Sequence, residues 1–291
     1  MIDYRNQSLE QGIFELPDYE TYSRIPALTS SSIKAMRKTP AHFKHYIENK
    51  VDDPSPAMVV GKAFDLAMLR PDHFETRVVA DETKLNRNTT KFKEWAKKVE
   101  DSGGFYLPAK GDKTTRADIV KMVEQVKQKR SVAELLDDGY PARTIVWYDD
   151  EYGLWCKGEI DWLTTSGIVC DVKKAMDAGF FAFSRQARRL GYDIQAAWYL
   201  RGLTKITGYR HEQFRWIVAE NTPPFESQVY AISPRVLMDA QARIDELVLK
   251  IRTCLETGEY PGYPDHPIDL ESGQQIYDDT LLDTDEYADG F

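Results

Sequence analysis

The sequence predicts an α/β (α+β) fold: a mixed central β-sheet flanked by helices, with an added N-terminal helical layer. Three patterns point to it. Strand-like segments separated by short turns run from residue 142 to 173, helical segments lie before and after them from about residue 27 onward, and two more strands precede a long closing helix. At 291 residues, 42% hydrophobic and 29% charged, the chain has the composition of an ordinary globular protein with length for a sizeable core.

Taken in order, residues 1–26 read as an irregular arm rich in Tyr and Pro. Thr29-Ser30-Ser31-Ser32 offers several N-caps for a helix over Ile33–Lys38, because short side-chain oxygens accept from the free first-turn N–H groups. Pro40 restarts the chain as a helix over Ala41–Asn49, and a loop, Val51–Pro56, leads to a third helix, Ala57–Leu69, stopped by Pro71. Asp65 is the lone acid of that helix among Phe64, Leu66, Ala67, Met68 and Leu69, so it lies either on the exposed stripe, which the pattern alone slightly favours, or is held inward by a partner. Residues 76–140 read as mostly helical, with Thr89 or Thr90 capping Lys91–Asp101, and with Ile119, Val120, Val123 and Val126 forming the stripe of Arg116–Lys129.

Ala142–Tyr148 is a strand, and a turn through Asp149-Asp150-Glu151-Tyr152-Gly153 returns the chain into Leu154–Leu163; these acids read as turn residues, not ligands. Lys157–Leu163 and Ile168–Lys173 form a hairpin whose polar turn ends in Gly167. With the turn centred near Ser166, Asp161 faces Asp171 and Glu159 faces Lys173, all on one face because side chains alternate along a strand. The other face carries Ile160, Trp162, Ile168, Cys170 and Val172. Three carboxylates and one ammonium on one face of an apolar hairpin are costly unless the like charge is balanced, and a divalent cation balances it. Helices follow over Phe180–Leu190 and Tyr192–Ile206, then strands over Gln213–Ala219 and Ser227–Ile232. Arg235–Thr257 closes the fold with Val236, Leu237, Ala240, Ile244, Leu247 and Ile251 inward.

The hairpin resembles the core of the PD-(D/E)XK nuclease superfamily, with Asp161 as first acid and Asp171-Val172-Lys173 as second acid, spacer and lysine. Gln195 and Tyr199, one turn apart, match the Gln-x-x-x-Tyr signature of its RecB-like branch. Pro26–Ser32, Pro40-Ala41-His42-Phe43 and the Gly61–Asp65 helix are similar to the RecE (exonuclease VIII) type of exonuclease, except that the family places a metal-binding His where this chain has Asp65. The resemblance covers about residues 20–260.

The resemblance implies a restriction-endonuclease-like single domain over residues 1–262, with 27–140 mainly helical and 142–257 holding the catalytic sheet and helices. It implies a Mg²⁺-dependent deoxyribonuclease acting at double-stranded DNA ends, 5′→3′, in phage-type recombination, with Mn²⁺ able to substitute. A ring-shaped homo-oligomer and a single-strand annealing protein as partner come from the resemblance alone. Asp161, Asp171 and the backbone carbonyl of Val172 would hold the metal, with Asp65 completing that site or contributing to a second. Lys173 would orient water or stabilise developing charge, and Gln195 and Tyr199 would position the terminal nucleotide. Glu159 is a possible accessory acid. Lys174, Arg185, Arg188 and Arg189 suit phosphate contacts.

Net charge is −9, yet the residues from Tyr263 to Phe291 hold nine acids and no Lys or Arg, so the rest of the chain is neutral. Between Lys84 and Arg130 thirteen bases face six acids, which reads equally as solvated helix faces or as a nucleic-acid surface. The acidic tail, 263–291, is expected to be flexible and to discourage indiscriminate DNA binding. Three cysteines, Cys156, Cys170 and Cys254, favour reduced thiols in the cytoplasm and are too few for a four-cysteine iron–sulfur cluster. No apolar run reaches membrane-span length, and the first residues are too polar for a secretory signal. Two other readings stay open: a catalytically inactive nuclease-fold module that binds DNA or protein, and an inhibitor whose acidic tail mimics DNA.

Overall fold

A computed structural model gives the fold of residues 4–49, 55–111, 113–265 and 268. The N-terminal part comprises β1 (Gly12–Glu15), α1 (Tyr19–Arg24), α2 (Ser30–Met36), α3 (Pro40–Glu48), α4 (Pro56–Leu69) and α5 (Pro71–Arg77). It continues through β2 (Val78–Asp81), α6 (Thr90–Asp101), β3 (Phe105–Pro108), α7 (Arg116–Gln128) and α8 (Arg130–Leu136). Then come β4 (Gly139–Asp149), β5 (Leu154–Thr164), β6 (Val169–Ala175), α9 (Phe180–Leu190), α10 (Tyr192–Thr207), β7 (Phe214–Glu220), β8 (Ser227–Ala231) and α11 (Pro234–Thr257).

Six strands form one sheet in the order β1-β4-β5-β6-β7-β8, antiparallel except for the parallel pair β6–β7. The α9–α10 segment makes the crossover that a parallel pair requires. Each face carries its own apolar core. One joins Ile145, Trp147, Ile160 and Val169 to Trp198 and Leu203 of α10, Ile244 and Val248 of α11, and Ile33 and Met36 of α2. The other joins Cys170, Val172 and Ile217 to Phe64 and Met68 of α4 and Ile119, Met122 and Val126 of α7. The sheet is therefore covered on both sides, as a mixed sheet with crossover helices must be.

Local chemistry sets most helix starts. Thr29 and Ser32 form a reciprocal capping box at α2, Thr115 and Asp118 another at α7, and Thr39, Ser55, Thr89 and Ser233 cap α3, α4, α6 and α11. Proline at the first turn of α3, α4 and α11 occupies a position whose N–H has no helical partner anyway.

The structure departs from the expected elements in two places. Residues before Pro26 are not an irregular arm: β1 adds an edge strand to β4, and α1 is capped by Asp18. Within 76–140, β2 and β3 form a parallel two-stranded sheet instead of continuing the helices. The expected Val51–Pro56 loop and acidic tail fall largely outside the described residues.

Candidate active site

The site sits where β5 and β6 part. Their ladder is two steps long, Trp162 with Cys170 and Leu163 with Val169. That register places Asp161 across from Asp171, but the ladder stops short of them. In its place Asp161 Oδ2 accepts the Val172 N–H at 2.7 Å. The apolar side of the hairpin is also divided. Trp162, Ile168, Cys170 and Val172 belong to the α4–α7 core, whereas Ile160 lies in the α10–α11 core.

Asp171 is the centre of the cluster and only 1% exposed. Its Oδ1 accepts from Gln195 Nε2 at 3.0 Å, and its Oδ2 lies 2.6 Å from Lys173 Nζ. Among the described residues Oδ2 has no partner with hydrogen-bond geometry. Gln195 Nε2 also donates to the Tyr199 hydroxyl at 3.1 Å, so one amide group of α10 bridges the carboxylate and the hydroxyl one turn further on, a Gln195–Tyr199 relay in the sense of position only. Gly158 of β5 leaves room for this relay, since a Cβ there would come within 2.6 Å of Tyr199 Cε1. Lys173 Nζ also lies 3.4 Å from the Val172 carbonyl oxygen and 5.3 Å from the Tyr192 ring centroid.

Electrostatics ties the cluster together. Burial, then the field of Asp171, pushes the Asp161 carboxyl well above the usual carboxylate range, with Lys173 opposing. Asp65 is half-buried and lies within the field of Lys173, Asp171 and Glu159, so of its two readings the inward one holds and the slightly favoured exposed one does not. Burial, opposed by Lys173 and reinforced by Asp171 and Glu159, pushes Asp65 up to about 7. Burial works against the Lys173 ammonium, but Asp171, Asp161 and Asp65 together hold its pKa above the ordinary lysine value. Burial, then Asp171 and Asp161, raises the Tyr199 hydroxyl, which keeps its proton available for donation. One ammonium thus faces three carboxylates, and the excess acid shows as raised affinity for protons.

Glu159 is set apart from the pair it was expected to join. The ladder ends before it reaches Lys173, and the charges acting on Glu159 are Arg70 and Lys157. Lys157 is itself committed, donating to the Tyr22 and Ile25 carbonyls at 2.7 Å each. Lys174 is half-buried, with its stem near Gly61 of α4. Arg185, Arg188 and Arg189 are exposed on α9 and make no ion pair among the described residues. Of the bases between Lys84 and Arg130, Arg116, Lys121, Lys129 and Arg130 are ion-paired. The acids of the β4–β5 turn are structural: Asp149 and Glu151 bind Arg201, and Asp150 binds Lys205.

Two cations escaped the sequence reading. Lys34 of α2 and Arg37 at its C-cap pack over Gly191, where a Cβ would meet Lys34 Cδ at 3.0 Å and Arg37 Nη1 at 2.7 Å. Arg37 Nη2 donates to the Arg188 carbonyl at 3.2 Å, fixing α2 on the α9–α10 junction. Burial, then Lys173, pushes the Lys34 ammonium down to about 8, with Asp171 opposing. The usable signal was the Thr29–Ser32 cap, which fixes the helix start and puts residues 34 and 37 on one face.

Hard oxygen donors with unbalanced negative charge are what a divalent cation such as Mg²⁺ takes. Asp171 Oδ2, paired only with the Lys173 ammonium among the described residues, and the proton-hungry Asp65 and Asp161 fit such an ion. Among the described residues no three His, Cys, Asp or Glu side chains form a ready-made metal cage. Lys173, Gln195 and the Val172 N–H hold the carboxylate oxygens instead.

A two-sided mixed sheet with paired acids and a lysine at a strand divergence defines a PD-(D/E)XK-type nuclease fold. The family described as "PDDEXK-like domain of unknown function (DUF3799)" matches residues 29–267, and the chain belongs to it. A crystal structure at 2.19 Å resolution of a candidate exonuclease from Eubacterium rectale shares the fold, with TM-score 0.60 and 15% identity over 88% of this chain and 97% of that one. The crystal structure of SSO0001 aligns with TM-score 0.29 and 12% identity over 71% of this chain and 88% of that one. No curated protein matches the sequence. No helix among the described residues is long and apolar enough to cross a membrane. The three cysteines are buried and unpaired.

Proposed function

We propose that the protein is a Mg²⁺-dependent deoxyribonuclease of the RecE-like kind, hydrolysing phosphodiester bonds from the ends of double-stranded DNA. The observation that supports it most is Asp171, which one side chain oxygen ties to Lys173 and the other to the Gln195–Tyr199 relay. Asp161, Asp171 and the Val172 carbonyl are the proposed holders of one Mg²⁺, with Asp65 completing that site or serving a second. When bound, the cation neutralises phosphate charge and lowers the pKa of water.

The chain's own groups supply the rest. Lys173 keeps its proton across the physiological range, so it can steady negative charge developing on the phosphate or hold water by donating to it. Gln195 and Tyr199 keep Asp171 oriented and present donors to the terminal nucleotide. Lys34 lies within the field of Lys173 and Asp171, with Arg37 beside it over Gly191, where the two suit a phosphate of the same strand. From the resemblance we add 5′→3′ polarity, a role in phage-type recombination, a single-strand annealing partner and a ring-shaped oligomer.

Incubation with Mg²⁺ or Mn²⁺ and either linear or covalently closed circular duplex tests this, beside Asp171→Ala and Lys173→Ala. End-dependent degradation lost in both variants is the expected result. Cutting of the circle would indicate an endonuclease. A wild-type chain inert with either metal would favour a nuclease-fold binding module, a reading for which the Asp at position 65 is the supporting observation.

A further inference from the structure

We propose that Met176, Phe180 and Phe181, at the corner between β6 and α9, form a stacking platform that receives unpaired bases of a DNA end beside the acid cluster. This rests on the DNA-end reading above and adds the element that separates or accepts the terminal bases. The three side chains are 80%, 64% and 81% exposed, and two of them are aromatic rings 5.3 Å apart at a steep angle. Two exposed rings side by side, with an exposed Met four residues earlier in the chain, mark a contact surface more often than a packing accident.

The corner is held firmly. Ala178 is bound at both backbone groups, its N–H to Glu220 Oε1 at 3.0 Å and its carbonyl by the Tyr230 hydroxyl at 2.6 Å. The Asn221 N–H donates to the Ala175 carbonyl at 3.0 Å, and Gly179 N–H to Asp177 Oδ1 at 2.7 Å. Phe183 is buried and stacked on Tyr230 at 4.9 Å, which fixes the roll of α9 and turns Phe180 and Phe181 outward. Rings presented on a fixed corner lose little freedom when a base stacks on them.

Position and charge select nucleic acid as the occupant. Met176 is three residues beyond Lys173, about 10 Å of extended chain. On α9, Arg185 lies one turn beyond Phe181, and Arg188 and Arg189 lie one turn further, all exposed. From Lys173 to Arg189 the sole acid is Asp177. Aromatic faces followed by cations at one-turn spacing are the pairing that binds single-stranded nucleic acid, with stacking on bases and charge on phosphates. A partner protein or a second copy of the chain is the competing occupant, and the test below separates it.

The test reads binding, not cleavage, so it survives failure of the nuclease reading. In an Asp171→Asn background, fluorescence anisotropy compares a blunt duplex with one whose terminal pairs are mismatched. The chain should prefer the frayed end, and Phe180→Ala/Phe181→Ala should lower that affinity about tenfold or more while barely changing the blunt one. Phe180→Trp/Phe181→Trp should keep the preference. Equal affinity for both ends, or an alanine variant that loses both equally, overturns the proposal. So does a drop in solution mass on alanine substitution, which would make the corner a contact between copies of the chain.

Discussion

Replacing Asp65 by Asn removes one carboxylate from the cluster and keeps its shape, so the change reads the charge directly. Asp65 is pushed from 3.8 to about 7, a difference of about three units. At 1.36 kcal/mol per unit this is about 4 kcal/mol in favour of the neutral acid. The sign follows from linkage. Below about pH 4 both folded and unfolded chains hold the proton and Asp65 costs nothing. As pH rises the unfolded chain ionises first, stability falls, and above about pH 7 the full cost is present. Because Asp161 shares the repulsion, about 4 kcal/mol is a ceiling, and roughly 2 kcal/mol is the expected gain for Asp65→Asn near pH 8 without metal. In a domain of this size that raises the melting temperature by roughly 4–8 °C. Thermal unfolding by circular dichroism near pH 4.5 and pH 8, with chelator or Mg²⁺, measures it. The gain should shrink at the lower pH, and Mg²⁺ should stabilise the wild type more than the variant. An Asn variant less stable than wild type near pH 8 in chelator, or equal stabilisation of both by Mg²⁺, would refute the reasoning.

Gly158→Ala drives a methyl into Tyr199 Cε1, so it should cost about 1–3 kcal/mol and lower cleavage at least tenfold through the displaced Gln195–Tyr199 relay; unchanged cleavage would show that the relay's placement is dispensable. Arg201→Met leaves the fully buried Asp149 without its cation and should destabilise the chain by about 3–5 kcal/mol in chemical denaturation, with the metal requirement unaltered. Lys34→Met should stabilise the chain near neutral pH, since burial disfavours the ammonium, and the gain should fade as pH rises from about 8 towards the ordinary lysine value. The same variant should weaken DNA binding and flatten its salt dependence, which titration at two salt concentrations detects.

Much of the architecture was legible because it is local. Helix starts at Thr29 and Thr89 follow from side-chain oxygens placed before apolar stripes, and the β4–β5–β6 meander follows from strand runs broken at Gly153 and Gly167. Counting outward from the β5–β6 turn was enough to set Asp161 across from Asp171. Four-residue strands such as β1, β2 and β3 were not legible, because alternation over so few residues resembles a loop or a helix edge. The pattern leaned the wrong way at Asp65 for a different reason: it sorts a lone acid to the outside and knows nothing of the lysine whose charge acts on it. Lys34 went unnoticed because its importance comes from α2 docking over Gly191, a contact between residues far apart in the chain.

Val172 spends neither of its β5-facing backbone groups on a neighbouring strand: its N–H goes to the Asp161 side chain and its carbonyl meets the Lys173 ammonium. Two more rungs between β5 and β6 would zip that opening shut. The resulting sheet would be sturdier and chemically mute, since the peptide oxygen and amide now turned toward the acids would be consumed in holding cloth together. On the proposed function, the chemistry at this spot depends on an unfinished seam, and substitutions that lengthen the β5–β6 pairing should silence cleavage while making the protein harder to melt.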